Sequence, residues 1–443
     1  MSESPRATHS CRAGNGRARI TPPPGVRLAG YFHERIAKSV RDDLYARALV
    51  IENGGRGVAL VSCDLIVMCE EVSAAAKEMI QRECGIPPES VLICATHTHT
   101  GPEVRPAAVM AREEDYVKGL PRRIADAARS AHESLFEATL HPGRTEAHGY
   151  AFNRLRRRKD GSEAFGPAQP LEGVIAPAGP IDPELQTLTV RDREGRIRAM
   201  AVNHALHPDV IGGGTADFIS ADWPGVMART IASLYGEDVD CLFLQGAAGD
   251  INHVPHTTTH MPVNGPRKAE QIGRALAGAA MYCAERAEPM DDLRLDGAMQ
   301  VISIPYYTRD AALMEEVKKL RAAERLGPMD QYVLDRFEAW PYDGKDAAVP
   351  IQTLRIGEAG IVGLPAEIFV RIGLEVKRYS PARFTYAVEL ANANVSTYVP
   401  AADQAERGAY GERPILSRWL CADAGRRMSD AALKALHEMW DRG

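Results

Sequence analysis

Residues 57–96 read GVALVSCDLIVMCEEVSAAAKEMIQRECGIPPESVLICAT. Three patterns follow one another in that stretch. Residues 57–68 are almost wholly apolar and β-branched, which predicts a strand. Residues 70–84 place Val72, Ala76, Met79, Ile80 and Cys84 near one face at helical spacing. Gly85 and Pro87-Pro88 then stop the helix. Residues 91–96 are a short apolar run of the kind buried on both faces of a sheet. Strand, helix and strand at this spacing make a βαβ unit with parallel strands.

The pattern continues on both sides. Residues 46–52 read as a strand, turned back by N-G-G-R at 53–56. Residues 185–191 and 197–206 are expected strands around R-E-G-R, and 241–246 a further buried one. Residues 222–235 are an expected helix, with Asp222 as cap and Pro224 in its first turn. Further helices are expected at 266–286, at 309–326 (ending near Gly327-Pro328), at 366–378 and at 428–441. Late strands fall near 350–356, 360–364 and 384–391. Residues 153–183 and 247–265 read as long loops, a length at which loops are lids or disordered. The fold class is α/β: a single large mixed-sheet domain over 1–443 with helices packed on the sheets, and 1–13 a disordered tail.

Composition narrows the function classes. Of 443 residues, 45% are hydrophobic and 25% charged, ordinary for a globular chain. A net charge of −6 gives no reason to expect nucleic acid as a partner. The eight cysteines are scattered with no C-x-x-C pair, which suits reduced thiols and a cytoplasmic location. No apolar run reaches the ~18 residues of a spanning helix, so no stable membrane insertion is expected. A homo-oligomer is left open.

The chemistry gathers at strand ends. After 91–96 come His97 and His99, then Gly101-Pro102. Residues two apart in an extended chain share a side, and the carboxyl ends of such strands are where open α/β sheets bind ligands. Residues 203–209, N-H-A-L-H-P-D, end a second strand; His204 and His207 differ in parity, so only one can face the cleft of His97. Residues 245–253, Q-G-A-A-G-D-I-N-H, open a third into Gly246, Gly249 and Asp250, where glycine permits close backbone approach or positive φ. Glu367, in G-L-P-A-E-I-F at 363–369, falls at an expected helix start, where a carboxylate also suits the helix dipole. There is no H-E-x-x-H, G-x-S-x-G, dinucleotide fingerprint or phosphate loop. A metal-assisted hydrolase fits three such strand ends.

In this order the blocks resemble the neutral/alkaline (non-lysosomal) ceramidases. They are A-T-H-T-H-T-G-P at 95–102, A-L-H-P at 205–208, Q-G-A-A-G-D-I-N at 245–252, L-P-A-E at 364–367 and N-A-N-V-S-T-Y-V-P at 392–400. The openings R-I-T-P-P-P-G-V-R-L-A-G-Y at 19–31 and D-L-Y-A-R-A-L-V at 43–50 are similar to that family's start. The resemblance implies one catalytic Zn2+ held by His97, His207, Glu367 and Tyr398, with His99, Arg154 and Tyr410 around the scissile amide. It implies a ceramidase-like catalytic domain, in a short form without the family's immunoglobulin-like C-terminal domain. Where some relatives carry a serine near the G-D segment, this chain has Ala247 and Ala248, so a seryl mechanism there is not expected. The implied activity is zinc-dependent hydrolysis of a linear carboxamide by metal-activated water, with a small N-acyl amine favoured as substrate over ceramide, which stays open. A zinc-dependent esterase or lactonase stays open. So do a metal-dependent phosphoesterase using Asp64, Asp222 and Asp250, and a non-catalytic binding homologue. His204, His253, His256 and His260 are read as lid or supporting residues, and Arg154 also opens a basic run, R-L-R-R-R-K.

Overall fold

The computed structural model describes residues 11–106, 110–165, 173–255, 264–405, 407 and 409–442. The expected βαβ unit is present. Arg56–Cys63 and Val91–Ala95 pair in parallel, from Ala59 beside Val91 to Cys63 beside Ala95, with the helix Glu70–Cys84 as the crossover. Two more such units follow. Ile197–His204 pairs with Asp240–Gln245 through helix Asp222–Tyr235, and Ala359–Gly363 with Phe384–Val388 through helix Val370–Tyr379.

The first two parallel pairs form the two edges of an eight-stranded sheet. Between them run the antiparallel strands Glu184–Asp192, Phe136–Glu146, Cys11–Arg19 and Tyr45–Asn53. The third unit belongs to a four-stranded sheet with Leu295–Pro305 and Asp346–Ile356.

Side-chain alternation stacks these sheets. Within Arg56–Cys63, Ala59, Val61 and Cys63 pack under the helices Glu70–Cys84 and Glu114–Glu133. Val58 and Leu60 face the other way and meet Leu354, Ile361 and Tyr386 of the smaller sheet. Helices Asp222–Tyr235 and Pro266–Arg286 cover the rest of the larger sheet, and Val370–Tyr379 with Ala424–Asp441 cover the smaller one. The result is a helix–sheet–sheet–helix sandwich. The parallel pairs of both sheets are covered on both faces, which explains why those strands read as continuous apolar runs.

Several expected boundaries move. The strand expected over 57–68 ends at Cys63 because Asp64 turns the chain; its carboxylate accepts from Tyr45 N at 2.8 Å and Arg47 Nη1 at 2.9 Å. The helix expected over 309–326 is Ala311–Arg321, and a second helix, Pro328–Glu338, follows the Gly-Pro break. Residues 366–368 are not helical: Ala366–Ile368 is a strand paired with Ser396–Val399. The last helix begins at Ala424. The expected loop 153–183 holds Leu155–Arg158, Glu163–Phe165 and Val174–Pro177 in a small sheet. Cys11–Ala13 belong to a strand rather than a tail. Residues 1–10, and 256–263 of the expected lid with His256 and His260, lie outside the described residues. All eight cysteines are unpaired and all but Cys421 are buried. No helix among the described residues is long and apolar enough to cross a membrane.

One buried charge gives a stability test. Lys77 is enclosed between the crossover helix and the smaller sheet, and its amine donates to Gln352 Oε1 at 3.1 Å. Burial lowers its pKa to about 7. Between pH 7 and the unfolded value near 10.4, only the unfolded chain holds the proton, so stability rises with pH across that window. Lys77→Met is expected to raise the unfolding free energy by about 1–3 kcal/mol at pH 7, an advantage that shrinks as pH approaches 10. Urea titrations at the two pH values check it.

Candidate functional site

The strand Val91–Ala95 hands the chain to a loop clamped from three sides. Thr96 N donates to Cys63 O and His97 N to Leu65 O. The Thr98 and Thr100 hydroxyls both donate to Ser220 O, at 2.7 and 2.8 Å. His97 is held at φ 71°, a left-handed conformation that costs a non-glycine residue energy and is kept here by this clamp. The turn brings His97 and His99 into one cleft without the extended geometry that parity assumed. Parity does sort the second strand end: His207 enters the cleft, whereas His204 turns away and meets Glu184 O at 3.0 Å. The loop after His207 is anchored by Asp222, whose carboxylate accepts from Val210 N and Ile211 N, both at 2.9 Å.

His97 Nε2 lies 2.9 Å from His207 Nε2 and 3.2 Å from His99 Nε2. Glu367 Oε2 lies 3.3 Å from the first and 3.7 Å from the second. These are not hydrogen bonds of a settled kind. The far nitrogens are committed: His97 Nδ1 donates to Ile66 O at 2.6 Å and His207 Nδ1 to Ala248 O at 3.2 Å. In that tautomer both Nε2 atoms present lone pairs to each other, and Glu367 Oε2 has no hydrogen-bond partner. Buried acceptors facing acceptors are unfavourable unless a cation lies among them. Ligands 2.0–2.1 Å from a tetrahedral zinc lie about 3.3 Å apart, a value that the 2.9, 3.3 and 3.7 Å among His97, His207 and Glu367 bracket. Among the described residues, His97, His99 and His207 form the group of donors placed to hold an ion. Burial, with the nearby Arg154 cation adding to it, pushes the pKa of His99 and of His207 well below the ordinary value, so both rings are neutral.

Glu367 reaches this point from a strand rather than from a helix cap. In the pairing of Ala366–Ile368 with Ser396–Val399, Glu367 stands directly beside Tyr398. Gly249 supports that strand: its N–H donates to Ile368 O at 2.8 Å, and a Cβ there would lie 2.9 Å from Glu367 O. The glycine is needed for close approach and not for positive φ.

Arg154 is buried. Its Nη2 donates to Gly249 O, and its guanidinium lies 5.1 Å from the Tyr398 ring centre and 5.7 Å from that of Tyr410. The basic run is split: Arg154 and Arg156 are buried, and Arg157 and Lys159 are exposed. Arg154 hydrogen-bonds Tyr398, and Tyr398 hydrogen-bonds Tyr410. Burial raises both phenol pKa values, Tyr410 to about 12, with Glu367 adding to the rise and Arg154 opposing it. Both are therefore proton donors at neutral pH. The expected set of seven meets in one place.

The other candidates have structural partners. Asp64 is taken by Arg47 and Asp222 by the amides after His207. Asp250 accepts from Val370 N at 2.7 Å and Asn153 Nδ2 at 2.8 Å, fastening the start of Val370–Tyr379. His253 bonds Asn264 Oδ1 at 2.8 Å.

Sequence reasoning passed over four residues here. Tyr31 donates to Asp209 Oδ1, which lies 3.8 Å from His99 Nδ1. Glu389 is fully buried behind Glu367, and its Oε2 accepts from Ile368 N at 2.6 Å. Burial, then the charge of Glu367, pushes its pKa well up. Gly30, at φ +105°, presses its backbone against His99, and a Cβ there would lie 2.4 Å from His99 Nδ1. Tyr31 and Asp209 are each the last residue of a stretch noted above, the sequence signal they carry. Gly30→Ala is expected to displace His99 and lower kcat roughly tenfold to a hundredfold while metal content stays unchanged; kinetics and elemental analysis on one preparation test this.

The sequence model described as neutral/alkaline non-lysosomal ceramidase, N-terminal, matches residues 12–240, just over half of the 443 residues. No curated protein matches the chain by sequence. Among solved structures, the neutral ceramidase from Pseudomonas aeruginosa superimposes with a TM-score of 0.77 at 20% identity, covering 98% of this chain and 75% of that one. A structure described as ceramidase complexed with C2 gives a TM-score of 0.76 at 18% identity, with the same coverage. At these identities the likeness shows a shared fold.

Proposed function

The chain belongs to the neutral/alkaline non-lysosomal ceramidase family, and from that premise we propose that it is a zinc-dependent amidohydrolase cleaving a linear carboxamide in a small N-acyl amine. The observation that carries the metal is the pair of facing Nε2 lone pairs on His97 and His207, with the unpartnered Glu367 Oε2 beside them. We assign His97, His207, Glu367 and Tyr398 as its ligands. A bound zinc ion would supply Lewis acidity and bring the pKa of water down to roughly 7.

The chain's own residues then divide the work. His97 and His207 are each pinned through Nδ1 to a carbonyl, which fixes a ligand tautomer. His99 is not pinned: its Nδ1 is buried without a hydrogen-bond partner. That difference suits a group that takes up a proton at one nitrogen and delivers it to the leaving amine. Arg154, held over Tyr398 and Tyr410, keeps a permanent positive charge beside the cleft. Together with the Tyr410 hydroxyl it would meet the negative charge that grows on the amide oxygen.

The other readings differ in support. An esterase or lactonase would use the same groups. A two-metal phosphoesterase would need Asp64, Asp222 or Asp250, which are committed elsewhere. A non-catalytic homologue would not need the full set of seven. We propose one hydrolase domain over the chain and, from eight unpaired thiols, a cytoplasmic location. The test is hydrolysis of matched N-acyl amines and acyl esters by the zinc-loaded protein. Amide cleavage abolished by a chelator is expected; cleavage of esters alone would replace this reading with the esterase.

A further inference from the structure

The cavity that opens onto the histidines has a volume of about 390 Å³. Eight of the 25 described residues that line it are Phe, Tyr or Trp, although these types make up only 6% of the chain. Tyr31, Tyr398 and Tyr410 belong to the polar site. The other five are Phe32, Tyr306, Tyr332, Tyr342 and Trp419.

These five rings are held by one another and by a buried layer. Phe32 meets Tyr332 edge-on at 5.6 Å and Tyr410 at 6.4 Å, joining the rings to the Arg154 cluster. Tyr306 stacks on Tyr342 at 4.2 Å with planes 17° apart. Trp340, buried, meets Tyr342 edge-on at 5.0 Å. Arg336 lies over Trp419 at 4.4 Å. Much of this band comes from one insertion. Strands Leu295–Pro305 and Asp346–Ile356 pair along their full length, yet the helices Ala311–Arg321 and Pro328–Glu338 separate them in sequence. Tyr306, Tyr332 and Tyr342 all lie in that excursion.

A saturated acyl chain is matched by branched aliphatic side chains that mould around methylenes. Among the described lining residues, Ile66, Val67, Val395 and Leu416 alone are of that kind. Tyr and Trp offer flat faces, ring edges and polar tips, which favour another ring in stacked or edge-on contact. We propose that this aromatic band is a substrate subsite and that the amide cleaved here carries an aryl ring. The inference rests on the amidohydrolase reading and names its substrate class.

The test compares two aryl amides with their cyclohexyl counterparts on the zinc-loaded protein. N-phenylacetyl ethylamine and N-acetyl phenethylamine place the ring on either side of the amide. The cyclohexyl versions keep size and hydrophobicity but remove the π face. At least one aryl compound is expected to exceed its counterpart about tenfold in kcat/KM. Tyr342→Leu is expected to reduce that ratio to about twofold, and Tyr342→Phe to preserve it. Because the readout is a ratio within one preparation, partial misfolding does not mimic it. Calorimetry supplies a readout independent of turnover: phenylacetate is expected to bind about tenfold more tightly than cyclohexylacetate. Turnover without aryl preference, or a preference for an N-dodecanoyl amide, would overturn the subsite while leaving the amidohydrolase intact. Preferential phenylacetate binding with no amide turnover would support the subsite and count against the amidohydrolase.

Discussion

Glu367→Gln is expected to lower kcat/KM about a thousandfold or more while the metal-free protein keeps its fold. The substitution preserves shape and the strand pairing beside Tyr398. It removes the one carboxylate that stands 3.3 Å from His97 Nε2 and 3.7 Å from His207 Nε2. A metal's stabilisation of charge in the transition state is worth several kcal/mol, and each 1.36 kcal/mol is tenfold in rate. Glu367 is buried and Oε2 has no hydrogen-bond partner, so without metal its charge is poorly solvated. The thermal midpoint of the chelator-treated variant should therefore equal or exceed that of chelator-treated wild type. Kinetics and thermal melts on the same samples check both parts. A large fall in both activity and metal-free stability would make Glu367 a structural residue.

Arg154→Met should separate charge stabilisation from metal binding. The guanidinium lies over Tyr398 and Tyr410 and donates to Gly249 O, but it is not among the donors that face one another at the cluster. Removing a group that meets developing oxyanion charge typically costs about a hundredfold to a thousandfold in kcat. The expected result is a fall of that size in kcat, a smaller change in KM and metal content equal to wild type. Loss of metal along with activity would place Arg154 in the architecture of the centre instead.

How far the sequence carries depends on whether a feature is local. The βαβ unit at 57–96 was legible because its strands are buried on both faces and its helix has one apolar side. The strand ends were legible for the same reason, since a polar residue after a buried strand stands out. Parity separates His204 from His207, and the resemblance, not parity, names His207 as the one in the cleft. His97 reached the cleft through a left-handed turn fixed by the backbone of residues 63–65, which the sequence cannot show. Glu367 looked like a helix cap because its strand partner, Ser396–Val399, lies some thirty residues further on. Cys11–Arg19 was not expected as a strand because CRAGNGRAR has little apolar character. Its Gly14 and Gly16 let helix Glu114–Glu133 rest on the bare backbone, where a Cβ at Gly14 would lie 2.1 Å from Ala131 O. Asp209 and Tyr31 meet across 178 residues, and no local pattern announces such a pair.

The central claim is a single metal held by His97 and His207, which follow two separate strands, and by Glu367 and Tyr398, which stand side by side on two paired ones. It is tested most directly by elemental analysis of purified protein, wild type beside His207→Ala. The account predicts about one zinc per chain in wild type and less than about a tenth of that in the variant, because His207 supplies one of the two pinned imidazoles. Wild type without metal after growth in zinc, or a variant that retains the full complement, would contradict it.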